Sequence, residues 1–142
     1  MTAEDEPVQV EEANARFYRA FESLNLQEME GVWVKGEHVK CVHPGWGLLT
    51  GWESVRASWE AIFKNTGEIR FSLTDVRVQV EGSLAWVTCA ENILSQVGGN
   101  ISAATVLATN LFERRGTEWL MIHHHASHVF SGEARPEPEE TA

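Results

Sequence analysis

The chain has 142 residues, of which 43% are hydrophobic, enough to close one core but too few for two ordinary domains. Its formal net charge of −10 repels phosphates and anionic lipid, which excludes nucleic acid and membrane surfaces as partners in the absence of a basic patch. No segment resembling a secretory signal precedes Cys41 and Cys89, so we expect two reduced thiols in a cytoplasmic protein.

The first part of the chain has the pattern of helices. From Val10 to Leu24, apolar residues recur every three or four positions, as on one face of an amphipathic helix. Asn25, followed three residues later by Glu28, predicts the start of a second, shorter helix that ends at Gly36.

A short strand is predicted next, over residues 37–43. Side chains alternate there, so that Val39, Cys41 and His43 share one face. Pro44 ends the strand because proline cannot donate to a sheet. His43 is therefore either a strand-end histidine bonded to a neighbouring backbone carbonyl or a residue placed to meet a ligand.

A third helix is predicted between Thr50 and Gly67. Thr50 and Glu53 form a capping box at its start, and its apolar residues have core spacing. Four tryptophans of the helices and strands are expected in the core: Trp33, Trp52, Trp59 and Trp86.

The remainder of the chain is predicted as four strands joined by short hairpin turns: residues 68–80, 84–97, 101–115 and 118–129. In the first of them the apolar positions change parity near Thr74 and Asp75, which predicts a bulge that bends the sheet. Helices on one side of a bent sheet enclose a cone with a mouth.

The predicted fold is α+β, with a strongly curved antiparallel sheet wrapped around N-terminal helices to form a cone-shaped half-barrel with an internal pocket. We expect a single domain over residues 10–130. An acidic extension at 1–9 precedes it, and an acidic tail at 131–142, expected to be disordered, follows it.

Several residue pairs have the spacing of metal ligands on a strand, namely Cys41 with His43 and His123 with His125. Such histidine pairs also occur where the polar face of a sheet meets water or a partner, or where it hydrogen-bonds in a cavity. No carboxylate motif completes the set. We therefore expect neither a metal nor another cofactor.

Three segments carry a family resemblance: CVHPGWG, TGWESVRASW and ATNLFERRGTEWLMIHHHAS. Together with the order of helices and strands, they resemble the SnoaL-like branch of the nuclear transport factor 2-like (ketosteroid isomerase-like) superfamily over residues 10–130. This fold hosts isomerases, cyclases, dehydratases, hydrolases and assembly modules, so the resemblance implies a fold more sharply than an activity.

The resemblance also assigns roles to individual positions. Ketosteroid isomerases use an aspartate before a proline as general base, and His43 stands there in this chain. The tyrosine and protonated aspartate that stabilise the enolate correspond to Phe17 and to Asn110, or to Thr109 if the alignment slips. Neither is an acid, so steroid isomerisation of that kind is not expected.

The last hairpin is also similar to the association domain of calcium/calmodulin-dependent kinase II. The pocket arginines of that domain fall at Asn110 and Ala126, so the positive pocket is not expected in this chain. Its glutamate before a proline again falls at His43. The resemblance thus implies that His43 lies at the mouth of the cone and points inward.

The hairpin turns decide which residues face the cavity that the resemblance implies. A three-residue RGT loop pairs Arg114 with Glu118 and puts even-numbered residues of the last two strands inside, whereas a two-residue loop would undo this assignment. A two-residue GG turn puts Glu91 inside as well. The odd-numbered residues then form an outer face for a homodimer, with Thr109, Trp119, Met121, His123, His125 and Ser127.

Two functions follow from this arrangement. In the first, an isomerase, cyclase or dehydratase uses His43, with Glu91 as a second candidate catalytic residue, to exchange a proton with a small apolar or partly polar ligand. In the alternative, a non-catalytic module binds the ligand or forms the dimer. The residues expected to line the pocket are Phe17, Trp59, Asn110 and His124.

Overall fold

The computed structural model describes residues 5–129. Its three helices are α1 (Glu6–Ser23), α2 (Leu26–Glu30) and α3 (Trp52–Lys64). Its six strands are β1 (Lys40–Val42), β2 (Leu49–Thr50), β3 (Glu68–Glu81), β4 (Leu84–Val97), β5 (Asn100–Arg115) and β6 (Glu118–His128). The predicted α+β cone is confirmed, while the acidic tail at 131–142 lies outside the described residues.

The ends of α1 and α2 follow local rules. Pro7 stands in the first turn of α1, where its missing N–H breaks no helical hydrogen bond, so the helix begins at Glu6. Asn25 starts α2, because its Oδ1 accepts from the backbone N–H groups of Gln27 and Glu28 at 2.9 and 3.2 Å. The predicted cap at Asn25 is confirmed.

The predicted capping box of α3 is wrong. Thr50 belongs to β2 and pairs with Lys40, so its side chain does not cap the helix. Gly51, with φ of 89°, takes the N-cap position instead. A positive φ is accessible to glycine at little cost, and it allows the chain to turn directly from β2 into α3.

All six strands belong to one sheet, in the order β2-β1-β6-β5-β4-β3. Only the pairing of β1 with β6 is parallel among the described strands, and it aligns Cys41 with His124. The predicted bulge in β3 is confirmed, since the register with β4 shifts between Thr74 and Arg77 and Asp75 has φ of 55°. The bend encloses α1 and α3 on the inner side of the sheet.

The predicted three-residue loop between β5 and β6 is wrong. Arg115 pairs with Glu118, and Gly116 has φ of 64°, as a two-residue hairpin turn requires. A register that differs by one residue reverses the direction of each side chain. Trp119 and Met121 therefore point into the core, with 5% and 0% exposure, and Trp119 does not belong to the outer face.

A bulge in β6 restores the predicted arrangement further along the strand. Met121 pairs with Phe112, but His123 already pairs with Leu111, so Ile122 is the extra residue. His124 consequently points inward and is buried, whereas His123 and His125 lie on the outer face.

The hairpin between β4 and β5 has the predicted two-residue turn, with Val97 paired to Asn100. Val87, Cys89 and Glu91 are accordingly buried on the inner face. The same alternation turns Trp86 outward, where it is 38% exposed, so the prediction that Trp86 belongs to the core is wrong.

The inward orientation of Trp119 leads to a testable prediction. Replacing Trp119 by alanine leaves a cavity in the core, so the free energy of unfolding measured in urea should fall by about 3–5 kcal/mol. Trp46→Ala is the matched control, because this ring is 44% exposed and its loss should cost about 1 kcal/mol or less. Equal losses in the two variants would contradict the two-residue turn.

Candidate functional site

A cavity of about 370 Å³ lies between the helices and the inner face of the sheet, a volume typical of small-molecule sites. Its walls are mainly apolar, and its buried polar side chains are His43, Glu91 and His124. A larger open groove of about 490 Å³ runs across β3, β4 and β5, but none of the buried titratable residues lies in it. The chemistry is therefore concentrated in the smaller cavity.

The stretch from His43 to Trp46 forms a tight turn beside this cavity. The backbone N–H of Trp46 donates to the carbonyl of His43 at 2.9 Å, Pro44 follows His43, and Gly45 has φ of 83°. These are the features of a type II turn. The turn holds the Trp46 ring edge-on to the His43 ring, with centroids 4.9 Å apart.

His43 is 3% exposed and is held by α3. Its Nε2 lies 2.9 Å from the Ser58 hydroxyl, which donates its own proton to the Val55 carbonyl at 2.6 Å. Ser58 must therefore accept from Nε2–H, which leaves Nδ1 as the unprotonated nitrogen. The partner is thus a side-chain hydroxyl and not a neighbouring backbone carbonyl.

Burial determines the charge state of His43. It lowers the pKa of His43 to about 4, because a desolvated imidazolium is disfavoured. Trp59 packs edge-on against the ring at a centroid distance of 4.7 Å and contributes to that desolvation. At neutral pH, His43 is an uncharged base.

Glu91 lies on β4 and is 2% exposed. The Tyr18 hydroxyl donates to its Oε2 at 2.5 Å. Burial raises the pKa of Glu91 to about 7, although the bond from Tyr18 acts in the opposite direction. Glu91 therefore exchanges a proton close to neutral pH.

A chain of buried hydrogen bonds connects Glu91 to His124. Asn110 Nδ2 donates to Tyr18 at 3.1 Å and to Asn14 Oδ1 at 2.9 Å. Its Oδ1 must then accept from His124 Nδ1, 2.6 Å away, which leaves Nε2 of His124 as an acceptor. Burial, followed by the proximity of His43, lowers the pKa of His124 well below its ordinary value.

The model of the family described as SnoaL-like domain matches residues 10–131. The chain belongs to the SnoaL-like family. Among curated proteins, the F-box protein SKIP8 of Arabidopsis thaliana is 31% identical to it over 114 residues, which are 80% of this chain and 47% of that protein. This SnoaL-like chain thus spans about half the length of its curated relative.

Solved structures of the nuclear transport factor 2-like superfamily resemble it closely. A proposed dehydratase of the NTF2-like family from Streptomyces avermitilis is 40% identical with a TM-score of 0.86, covering 92% of this chain and 100% of that one. A proposed calcium/calmodulin-dependent kinase II association domain from Thiobacillus denitrificans is 31% identical with a TM-score of 0.75, covering 84% and 94%. A Salmonella enterica NTF2-like protein, 14% identical with a TM-score of 0.84 and covering 96% and 100%, shows the fold alone.

The SnoaL-like chain places its six predicted site residues in two layers. His43, Glu91 and His124 line the cavity. Three others are buried directly behind them: Phe17, Trp59 and Asn110. The Phe17 ring lies 4.9 Å from His124 and 5.7 Å from Trp59, so these rings support the imidazoles from behind rather than forming the cavity wall.

Sequence reasoning missed Tyr18, Asn14 and Ser58. The resemblance assigned the family's helix tyrosine to Phe17, but it is the adjacent Tyr18 whose hydroxyl reaches Glu91. Tyr18 is the one tyrosine of the chain and stands four residues after Asn14 on the same face of α1, a signal that could have identified both. Ser58 carries no comparable signal, because its role depends on α3 packing against His43.

The remaining metal candidates do not form a cluster. Within residues 5–129, no group of three or more histidine, cysteine, aspartate or glutamate side chains is arranged to hold a metal ion. The His123 and His125 rings lie 6.2 Å apart on the outer face. In the same part of the chain, no helix has the length and apolar character to cross a membrane.

The raised pKa of Glu91 makes unfolding depend on pH in a predictable direction. Between its unfolded value of 4.5 and its folded value of about 7, the folded state keeps a proton that the unfolded chain has lost. The contribution of Glu91 to the free energy of unfolding therefore decreases as pH rises through this window. Glu91→Gln lacks this loss. Its free energy of unfolding in urea should therefore rise relative to that of the parent, by up to about 1.4 kcal/mol per pH unit between pH 4.5 and about 7.

Glu113→Gln provides the opposite control. Although burial raises the pKa of Glu113, bonds to Arg115 and His38 lower it overall from 4.5. This variant should therefore lose stability relative to the parent as pH rises towards about 4.5 and should run parallel to the parent above that pH. If the stability of Glu91→Gln ran parallel to that of the parent from about pH 4.5 to pH 7, Glu91 would not have the raised pKa.

Proposed function

We propose that this SnoaL-like protein is an enzyme that moves protons in a small, largely apolar substrate, and specifically that it removes water from a hydroxylated one. The observation that carries the proposal is that an uncharged His43 and a protonatable Glu91 line the same cavity. A base and an acid that coexist at neutral pH are what an elimination requires.

In the proposed reaction, His43 Nδ1 takes a proton from a carbon and protonated Glu91 gives a proton to the hydroxyl on the adjacent carbon. The C–O bond breaks, a carbon–carbon double bond forms and water leaves. His43 then returns its proton to Glu91 through solvent. Because His43 is a weak base with a pKa of about 4, the C–H group must be acidified by a neighbouring carbonyl, so we infer a β-hydroxy carbonyl substrate.

The arrangement around the pair supports these roles. Ser58 holds Nε2 of His43, so Nδ1 is the nitrogen available to substrate. Tyr18 occupies one carboxyl oxygen of Glu91, which leaves the other for a leaving hydroxyl. The similarity to the proposed dehydratase from Streptomyces avermitilis supports the same class of reaction.

The test is turnover of a panel of apolar β-hydroxy ketones, followed by the ultraviolet absorbance of the enone product. His43→Ala and Glu91→Gln should each lower kcat by roughly 10²–10⁴-fold while remaining folded. His38→Ala, a histidine that is exposed on the surface, is the matched control and should keep the parent rate.

The pH profile is a second readout of the same proposal. The rate should fall above about pH 7 as Glu91 loses its proton and below about pH 4 as His43 gains one. A parent enzyme that dehydrates no member of the panel faster than His43→Ala would contradict the proposal.

A second proposal concerns assembly through the outer face of the sheet. This surface carries exposed apolar side chains on β4 and β5, including Trp86, Leu94 and Leu107 at 38%, 57% and 55% exposure, next to His123 and His125. Patches of this kind mark protein interfaces. With Trp119 inside the core, we propose a homodimer through Trp86, Leu107, Thr109, His123 and His125.

Sedimentation tests the homodimer. The parent should sediment as a dimer, and Leu107→Glu should shift it to a monomer because it buries an unpaired charge in the interface. Val8→Glu is the control, since Val8 is 68% exposed on α1, away from this face. A parent that remained monomeric as its concentration was raised would contradict the proposal.

A further inference from the structure

The inner end of the cavity has an unusual balance of donors and acceptors. Five polar side chains there give their hydrogens to protein acceptors, while the indole N–H of Trp59 is buried behind the imidazoles without a partner among the described residues. Tyr18 donates to Glu91, Asn110 to Asn14 and Tyr18, His124 to Asn110, His43 to Ser58, and Ser58 to Val55. These bonds use the hydrogens of those five side chains, so above about pH 7, where Glu91 has lost its proton, the groups that they leave at the inner end are acceptors.

Three acceptors remain at the cavity wall. They belong to residues that line the cavity: Nδ1 of His43, which makes a long contact of 3.9 Å with Cys41 Sγ, Nε2 of His124, and the Glu91 carboxyl oxygen that Tyr18 does not occupy. The two imidazole centroids are 6.2 Å apart, so the two rings are neighbours at the same end of the cavity. Serine hydroxyls are present too, but Ser95 and Ser102 are exposed and bond to each other at 3.2 Å near the rim.

The charges around the cavity also favour a ligand that donates hydrogens over an anionic one. Among the described residues that line it, none is a lysine or an arginine. Burial keeps both His43 and His124 uncharged, and the chain has a formal net charge of −10. A carboxylate or phosphate reaching the inner end would lose its hydration without meeting a lysine or an arginine, and above about pH 7 it would face the negative charge of Glu91.

We infer that the cavity selects ligands that present an O–H or N–H donor on an apolar body and rejects anionic ligands. The inference rests on the proposed function only in taking this cavity as the small-molecule site, and it specifies the substrate class. The apolar walls accept the body of the ligand, while the acceptors at the inner end accept its hydroxyl or ammonium hydrogens.

A hydroxyl group and an ammonium group both donate hydrogens but differ in charge, and the charge of Glu91 should distinguish between them. The titratable groups around Glu91 are Tyr18 on α1, Cys89 on its own strand, His43 after β1, and His124 and His128 on β6. With His43 and His124 uncharged, the Glu91 carboxylate supplies the negative charge at the inner end near pH 8. A ligand with an ammonium group should then bind more tightly than the same ligand with a hydroxyl group.

The experiment measures calorimetric affinity for three unreactive ligands that share one body: 2-phenylethanol, 2-phenylethylamine and 3-phenylpropionate. At about pH 8, the alcohol and the amine should each bind at least about tenfold more tightly than the carboxylate, with the amine first. In Glu91→Gln the advantage of the amine over the alcohol should disappear. Glu113→Gln, a surface carboxyl variant, should keep the parent order.

The outcomes separate this inference from the proposed reaction. Binding of 3-phenylpropionate as tight as that of 2-phenylethanol, or no binding of any of the three, would overturn the inference. Loss of the amine's advantage in Glu113→Gln as well as in Glu91→Gln would also overturn the assignment to this cavity. Because none of the three ligands is a β-hydroxy ketone, the expected order can hold whether or not dehydration is observed.

Discussion

The burial of polar groups inside an apolar cone is the constraint on which the rest of the structure depends. Each buried donor or acceptor without a partner costs free energy, so the polar side chains behind the cavity form one connected chain of bonds. This series of hydrogen bonds runs from Glu91 through Tyr18 and Asn110 to His124. It fastens α1 to the sheet and fixes which nitrogen of His124 carries the proton.

The same burial produces the chemistry of the site. Desolvation disfavours charge, so it moves the pKa of a histidine down and that of a glutamate up. His43 and Glu91 thereby become an uncharged base and a protonatable acid in one cavity. The hydrogen bonds that stabilise the cavity use donors internally, and the proposed ligand preference follows from that. Stability and the two pKa shifts thus have one origin, on which the proposed proton chemistry also rests.

The SnoaL-like fold accommodates this arrangement because its sheet separates two surfaces. The inner face forms the cavity, and the outer face remains available for contact with a second copy. The extra residue Ile122 in β6 maintains the separation, since it places His124 inside and the neighbouring His123 and His125 outside. The proposed assembly and the proposed ligand binding therefore involve opposite faces of the sheet and can be tested by separate substitutions.

The sequence by itself determined that three helices form, that a bulge lies near Thr74 and that a short strand precedes His43, because periodicity and turn residues are local signals. The inward direction of Glu91 depended on the length of the GG turn, which the structure decided. Only the tertiary structure decided the turn before Trp119, since the RGT segment is compatible with two hairpin lengths that place opposite faces inward. Only the tertiary structure revealed the role of Tyr18, because its hydroxyl bonds to a residue distant in sequence. The approach of two distant segments depends on how the whole core packs.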